Sequence, residues 1–239
     1  MTSILESVEW GKPALQLAQQ VHHLDPTKPA FIHIRHSERQ TLEENTPYGM
    51  ELTPRGVQTS IEFGRMLPTN RRYTLLSTTI QRSKDTAKNI HNGIQENGGE
   101  SRLNGIIQVT SVRDPTTHQK NQIKNHEGRS SEEALRYFVY RWVSGHYPES
   151  VIKPSLEFTQ QAATVMMQTI KEAEPEDVII WVSHDMWIAP FLMHWFGVYD
   201  WGHVQFLDGF ILQFYADYMM LYFRDEKREV SYPHWWDLE

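Results

Sequence analysis

The chain has 239 residues, a net charge of −7 and no cysteine, and its length suits one sizeable α/β domain, with or without an inserted cap. The negative charge argues against a general nucleic-acid binder, because such proteins neutralise phosphates with a basic face. The lack of cysteine excludes disulfides, thiolate catalysis and cysteine-ligated metal sites. Because no apolar run reaches the length of a membrane span and Met1–Asp25 lacks the apolar core of a signal peptide, we expect a soluble, cytoplasmic protein without nucleic-acid or membrane partners.

The first strong signal is an apolar run that ends in basic residues. A helix is predicted over Pro13–His22, before a turn at Asp25-Pro26. The segment Ala30–Arg35 is almost wholly apolar, which predicts a buried strand in which His33 takes part in the packing. With His36 and Arg39 directly behind it, this strand brings an imidazole and two guanidiniums to its C-terminal end, where α/β proteins place their chemistry.

A polar segment and two helix starts follow. Gln40–Glu51 is predicted to form a loop over the strand end, and Thr53 is a good N-cap for a helix with Pro54 at its first position. After a short predicted strand, Tyr73–Ser77, either Thr78 or Thr79 could cap the next helix. Its buried face would consist of Ile80, Ala87, Ile90 and Ile94. Arg82 would lie in its first turn, where a cation opposes the helix dipole unless an anion binds there.

The second half contains another strand of the same kind. Asp177–Ser183 is nearly all apolar and is followed by His184 and Asp185, before a helix from Met186. The other elements predicted here are a strand over Leu103–Val112, helices over Ser130–Ser144 and Ser155–Ala173, and an antiparallel hairpin of Phe210–Tyr215 and Met219–Arg224. We expect a single domain that spans residues 1–239. Because residues 113–150 begin with a polar stretch, they are a possible cap or lid insertion in that domain.

The alternation of strands and helices predicts an α/β fold, a three-layer sandwich with a largely parallel central sheet, helices on both faces and a C-terminal antiparallel hairpin. In such a sheet the strands that precede His36 and His184 would open on the same edge, next to the helix that carries Arg82.

Four segments, taken in order, resemble the motifs of the histidine phosphatase superfamily, which includes phosphoglycerate mutases and histidine acid phosphatases. They are Arg35-His36-Ser37-Glu38-Arg39, Leu52-Thr53-Pro54-Arg55-Gly56, Ser77 to Arg82, and Ser183-His184-Asp185. The resemblance implies that His36 is a nucleophile that forms a phosphohistidine. It also implies a phosphate pocket of Arg35, Arg39, Arg82 and His184, a small phosphorylated substrate, and no metal or other cofactor.

The chemistry of phosphoryl transfer needs these residue types. A phosphomonoester is a dianion, which arginine forks neutralise and hold through paired hydrogen bonds. Neighbouring cations also keep an imidazole neutral, and only the neutral ring can attack phosphorus. Ser37 departs from the family, which usually has glycine there; serine disfavours a positive φ but adds a hydroxyl that could bind phosphate.

The general acid remains open at this stage. The His-Asp pair and Arg39 resemble the acid-phosphatase branch, and this resemblance favours Asp185 as the general acid. The catalytic residues would then be His36, His184 and Asp185. In the mutase branch an acidic residue from the middle of the chain would act instead, for which Asp114 and Glu127 are the candidates. A mutase, or a binding module that has lost turnover, also remains possible, and neither the substrate nor the oligomeric state follows from the sequence.

Overall fold

The computed structural model describes residues 3–40, 51–109, 131–198, 204–234 and 236, and within them the predicted α/β fold is confirmed. The strands are β1 (Ala30–Arg35), β2 (Arg72–Ser77), β3 (Glu100–Ile106), β4 (Asp177–Ser183), β5 (Gly209–Phe214), β6 (Tyr218–Phe223) and β7 (Glu226–Ser231). The helices are α1 (Ile4–Ser7), α2 (Gly11–Val21), α3 (Pro54–Met66), α4 (Gln81–Glu96), α5 (Ser131–Val143), α6 (Ser155–Lys171) and α7 (Asp185–His194).

The strands form one mixed sheet in the order β3-β2-β4-β1-β5-β6-β7. Neighbours from β3 to β1 are parallel, whereas β5 is antiparallel to β1 and the last three strands are antiparallel to one another. In this register Arg35 lies opposite Ser183, and Ser77 lies opposite Val182. The ends of β1, β2 and β4 therefore meet at one edge of the sheet, as predicted.

The sheet is buried on both faces, which explains why β1 and β4 are continuous apolar runs. Phe31 and Trp181 belong to a core shared with α5, α6 and α7, whereas Ile32 and Ile180 belong to a core on the opposite face, shared with α1 to α4. Successive side chains of a strand point to opposite faces, so the two cores give the predicted three layers.

Helices α3 and α4 pack closely through two glycines. A Cβ on Gly64 would lie 2.2 Å from the carbonyl oxygen of Ile90, and a Cβ on Gly93 would lie 2.0 Å from that of Ile61. Thr53 caps α3 as predicted, with its side chain accepting from the Gly56 amide. The close packing fixes the C-terminal half of α4 against α3, and the Ser37 amide binds Thr86 nearer its N-terminus.

Several details differ from the predictions, among them the short helix α1, which was not predicted. The polar segment β7 adds a further antiparallel strand beside the confirmed hairpin of β5 and β6. Strand β3 begins and ends earlier than the predicted Leu103–Val112, because the chain leaves the sheet after Ile106. Helix α4 starts at Gln81 with Ile80 as its N-cap and without a side-chain cap, so the predicted caps Thr78 and Thr79 are wrong.

The stretch predicted as a cap is described only in part, since residues 110–130 lie outside the described residues. Of the remainder, α5 packs onto the sheet through Phe138, Val139 and Trp142, which are buried in the same core as α6 and α7. Its role as a lid stays a prediction. Among the described residues, no helix is both long and apolar enough to cross a membrane.

Candidate active site

The polar side chains at the carboxyl edge of the sheet form one contiguous cluster. Arg35 ends β1 and His36 follows it, His184 and Asp185 follow β4, and Arg82 projects from the first turn of α4. His36 and His184 lie edge to face with ring centroids 5.3 Å apart. The strand ends and the helix start therefore bring these predicted residues together, although they are widely separated in sequence.

His36 is held in one tautomer. Its Nδ1 lies 2.7 Å from the carbonyl oxygen of Ser37, which can only accept, so Nδ1 carries the proton. Its Nε2 accepts a hydrogen bond of 2.9 Å from Nε of Arg82. Burial, and then the charge of Arg35, hold the pKa of His36 well below its usual range. The ring is therefore neutral, with a lone pair on Nε2.

His184 is held in the opposite tautomer to His36. Arg82 Nη2 donates to its Nδ1 at 3.4 Å, so Nε2 carries the proton and donates to Oγ1 of Thr78 at 3.1 Å. Burial, and then the charge of Arg82, lower the pKa of His184 to about 3. Thr78 thus supports the site as a partner of His184. Thr78 directly follows β2, and this position could have indicated a role at the site, but the residue was predicted to be a helix cap instead.

Arg35 and Asp185 form a buried ion pair, with Nη2 and Oδ2 3.2 Å apart. Asp185 Oδ1 also accepts from the Met186 amide at 2.8 Å in the first turn of α7, whose N-cap is His184. Each residue is less than a tenth exposed. The carboxylate predicted as the general acid is therefore rigidly placed inside the basic cluster.

Arg39 lies at the outer side of the cluster. It is half-buried and donates to the carbonyl oxygen of Gln40 at 3.0 Å, and its backbone bridges to Leu52. Its charge contributes to the lowered pKa values of both Arg82 and His184. Burial, followed by the charge of Arg39, lowers the pKa of Arg82 to about 10. The mutual repulsion of these cations favours an anion in their midst.

The Ser37 hydroxyl is engaged with the protein. Ser37 is fully buried, its Oγ lies 3.0 Å from Oγ1 of Thr59, and its amide donates to Oγ1 of Thr86 at 3.0 Å. Ser37 also avoids a positive φ, which is why serine is accepted at this position. The residue therefore ties β1 to α3 and α4.

A segment that the sequence analysis overlooked also lines the cluster. The carbonyl oxygen of Val204 accepts from Arg35 Nη1 at 2.7 Å, and the guanidinium carbon of Arg35 lies 4.5 Å from the ring centroid of Phe206. Phe206 precedes β5 in a short turn without strand or helix periodicity, so nothing in its sequence context marked it. Asp114 and Glu127, the alternative acids, lie outside the described residues.

No protein-family model matches the chain, and no curated protein matches it in sequence. Solved structures match it in fold. One of phosphoglycerate mutase from Bacillus anthracis is 11% identical, with a TM-score of 0.51, covering 87% of this chain and 94% of the other. A mycobacterial glucosyl-3-phosphoglycerate phosphatase is 14% identical, with a TM-score of 0.50, covering 77% and 88%. A structure called mycobacterial hydrolase 1 is 13% identical, with a TM-score of 0.53, covering 78% and 90%.

These matches extend over most of each chain, and they agree with the fold that the resemblance implies. The chain has the fold of structures that include a phosphoglycerate mutase and a phosphatase. At such identities the likeness is one of fold, and it does not separate the mutase branch from the phosphatase branch.

Proposed function

We propose that the protein is a metal-independent phosphomonoester hydrolase that acts on a small phosphorylated substrate through a phosphohistidine at His36. The observation that carries the proposal is the state of His36, a neutral ring with its proton fixed on Nδ1 and its Nε2 lone pair facing Arg82. A nucleophilic imidazole needs this state, and a cluster of guanidiniums around it is suited to a dianion.

In the proposed reaction the phosphoryl group binds among Arg35, Arg39, Arg82 and His184, where Arg82 turns its donors from the histidines to phosphate oxygens. Nε2 of His36 attacks phosphorus as the bond to the leaving oxygen breaks. The phosphorylated ring keeps its Nδ1 proton, and the carbonyl oxygen of Ser37 stabilises the positive charge that develops on it. Water then attacks phosphorus, releases inorganic phosphate and restores the neutral ring.

Asp185 is the proposed general acid. Its carboxylate is paired with Arg35. A bound dianion competes for that guanidinium and adds negative charge nearby, and both effects favour protonation of the carboxyl. The acid then gives its proton to the leaving alkoxide, and the resulting carboxylate accepts a proton from the attacking water. Substrate binding is therefore expected to take up a proton.

The test is hydrolysis of p-nitrophenyl phosphate by the purified chain in the presence of EDTA. We expect turnover in the wild type and its loss in His36→Ala, with Arg39→Lys, which keeps the charge, retaining part of the activity. Full activity in His36→Ala would refute the proposal. Strong phosphate binding without turnover in the wild type would instead indicate a binding module, and transfer of phosphate to an added phosphoglycerate would indicate a mutase.

A further inference from the structure

The turn before β5 holds Arg35 by its backbone as well as by its side chain. The amide of Arg35 donates to the carbonyl oxygen of Asp208 at 2.9 Å, and its carbonyl oxygen accepts from the Leu207 amide at 3.2 Å. Within the same turn, Val204 accepts from the guanidinium at 2.7 Å. A single short segment therefore fixes both ends of this arginine.

The guanidinium of Arg35 lies over the ring of Phe206, and its hydrogen bond to Val204 and its ion pair with Asp185 are made through its Nη atoms. Its ring centroid lies 4.5 Å from the guanidinium carbon of Arg35, and it also lies 5.9 Å from the ring of His36. On another side Phe206 packs edge to face against Trp10, with centroids 5.4 Å apart. The ring is thus held between the N-terminal region and the cluster, at a fixed distance from both Arg35 and His36.

The turn is itself rigidly supported. Asp208 is 1% exposed and forms an ion pair of 2.9 Å with Arg224. Its carboxylate also accepts from the amides of Gly209 at 2.8 Å and Gln205 at 3.2 Å. Leu207 adopts a φ of 57°, a conformation that a non-glycine residue keeps only when its surroundings impose it. These contacts hold the turn in one conformation, so Phe206 is presented to Arg35 from a fixed backbone.

We propose that Phe206 is a positioning residue, which stacks on Arg35 and keeps its guanidinium in the plane in which it can donate to a bound oxyanion. Val204 and Asp185 hold the two Nη atoms of the guanidinium, but two contacts still allow its plane to tilt about the line that joins them. An aromatic face removes that freedom through stacking and cation–π attraction. This inference rests on the proposed function only in taking an oxyanion as the ligand.

The experiment compares Phe206→Leu, which keeps apolar bulk but removes the π face, with Phe206→Tyr, which keeps the face. Sulfate is the probe, since it is a dianion that is not turned over, and its affinity is measured by calorimetry. We expect Phe206→Leu to bind sulfate about fivefold more weakly than wild type, and Phe206→Tyr to bind it within about twofold. Tyr222→Leu is the matched control. It removes a β6 ring that lies against Lys227 of β7, and it should leave sulfate affinity unchanged.

The second measurement is the side-chain NMR spectrum of Arg35, assigned with Arg35→Lys. Wild type and Phe206→Tyr should show separate Nη–H signals from a guanidinium with slow rotation, and Phe206→Leu should show averaged signals. Unchanged Arg35 signals in a folded Phe206→Leu variant, or equal loss of sulfate affinity in the Leu and Tyr variants, would overturn the proposal. If wild type hydrolyses no phosphomonoester but the Phe206 pattern is observed, the proposed function fails and this inference stands.

Discussion

The buried ring of His33 leads to a quantitative prediction about acid sensitivity. His33 is fully buried below the active site, where its Nε2 lies 2.6 Å from Oγ of Ser183, whereas its Nδ1 has no hydrogen-bond partner among the described residues. Aromatic rings surround it, with that of Phe210 at 5.4 Å and that of Phe191 at 5.6 Å. Burial lowers the pKa of His33 from 6.5 to about 3.

The sign of the effect follows from this lowered pKa. Above pH 6.5 the ring is neutral in both the folded and the unfolded chain, so it adds no pH dependence. As the pH falls from 6.5 towards 3, the unfolded chain binds a proton that the folded chain does not, and the free energy of unfolding decreases. Between pH 7 and pH 5 this one ring lowers the free energy of unfolding by about 2 kcal/mol.

The perturbation is His33→Gln, which keeps a side-chain amide that can bind Ser183 but does not titrate. Urea unfolding of wild type and variant is followed by tryptophan fluorescence at pH 7, 6 and 5. The variant should lose about 2 kcal/mol less stability than wild type over this range, whatever its stability at pH 7. His36 and His184 remain in both proteins, so their effects cancel in the comparison.

His23→Gln, at an exposed position, is the matched control for the His→Gln substitution itself. An identical loss of stability between pH 7 and 5 in wild type and His33→Gln would refute the reasoning, because it would mean that the folded chain protonates His33 as readily as the unfolded one.

Three further predictions concern the site and its support. Thr78→Val removes the partner of His184 Nε2 and should lower kcat/KM for p-nitrophenyl phosphate about tenfold, whereas Thr78→Ser should stay near wild type. Gly93→Ala forces a Cβ against the Ile61 carbonyl and should cost about 1–3 kcal/mol in urea unfolding; a neutral result would mean that the α3–α4 contact is looser than described. Asp185→Asn should lose most turnover of an alkyl phosphate but little of p-nitrophenyl phosphate, whose phenolate needs no proton; equal losses would contradict the acid role.

The parts of the fold that could be predicted are those where burial dictates the residue types. β1 and β4 are covered on both faces, so their sequences are continuous apolar runs, and their polar successors mark the site directly. Thr53 and Pro54 indicate the start of α3 because capping is a local interaction.

The parts that escaped prediction depend on tertiary contacts. β7 is a polar edge strand without the alternation by which a strand is identified, and β3 is largely exposed, so its predicted bounds lie too late. Thr78 has the chemistry of a helix cap, and only the proximity of His184 shows its actual partner. Phe206 reaches Arg35 across the fold, and no local pattern in sequence encodes such a contact.

The most direct test of the central claim is to trap the phosphoenzyme. The protein is mixed with p-nitrophenyl phosphate, quenched in base within one turnover, and analysed by ³¹P NMR and by mass spectrometry of its peptides. We expect one phosphoryl group on His36, stable in base and lost in acid as a phosphorus–nitrogen bond is, and absent from His36→Ala. Turnover by the wild type with no phosphohistidine formed, or with the phosphoryl group on another residue, would contradict the proposed mechanism.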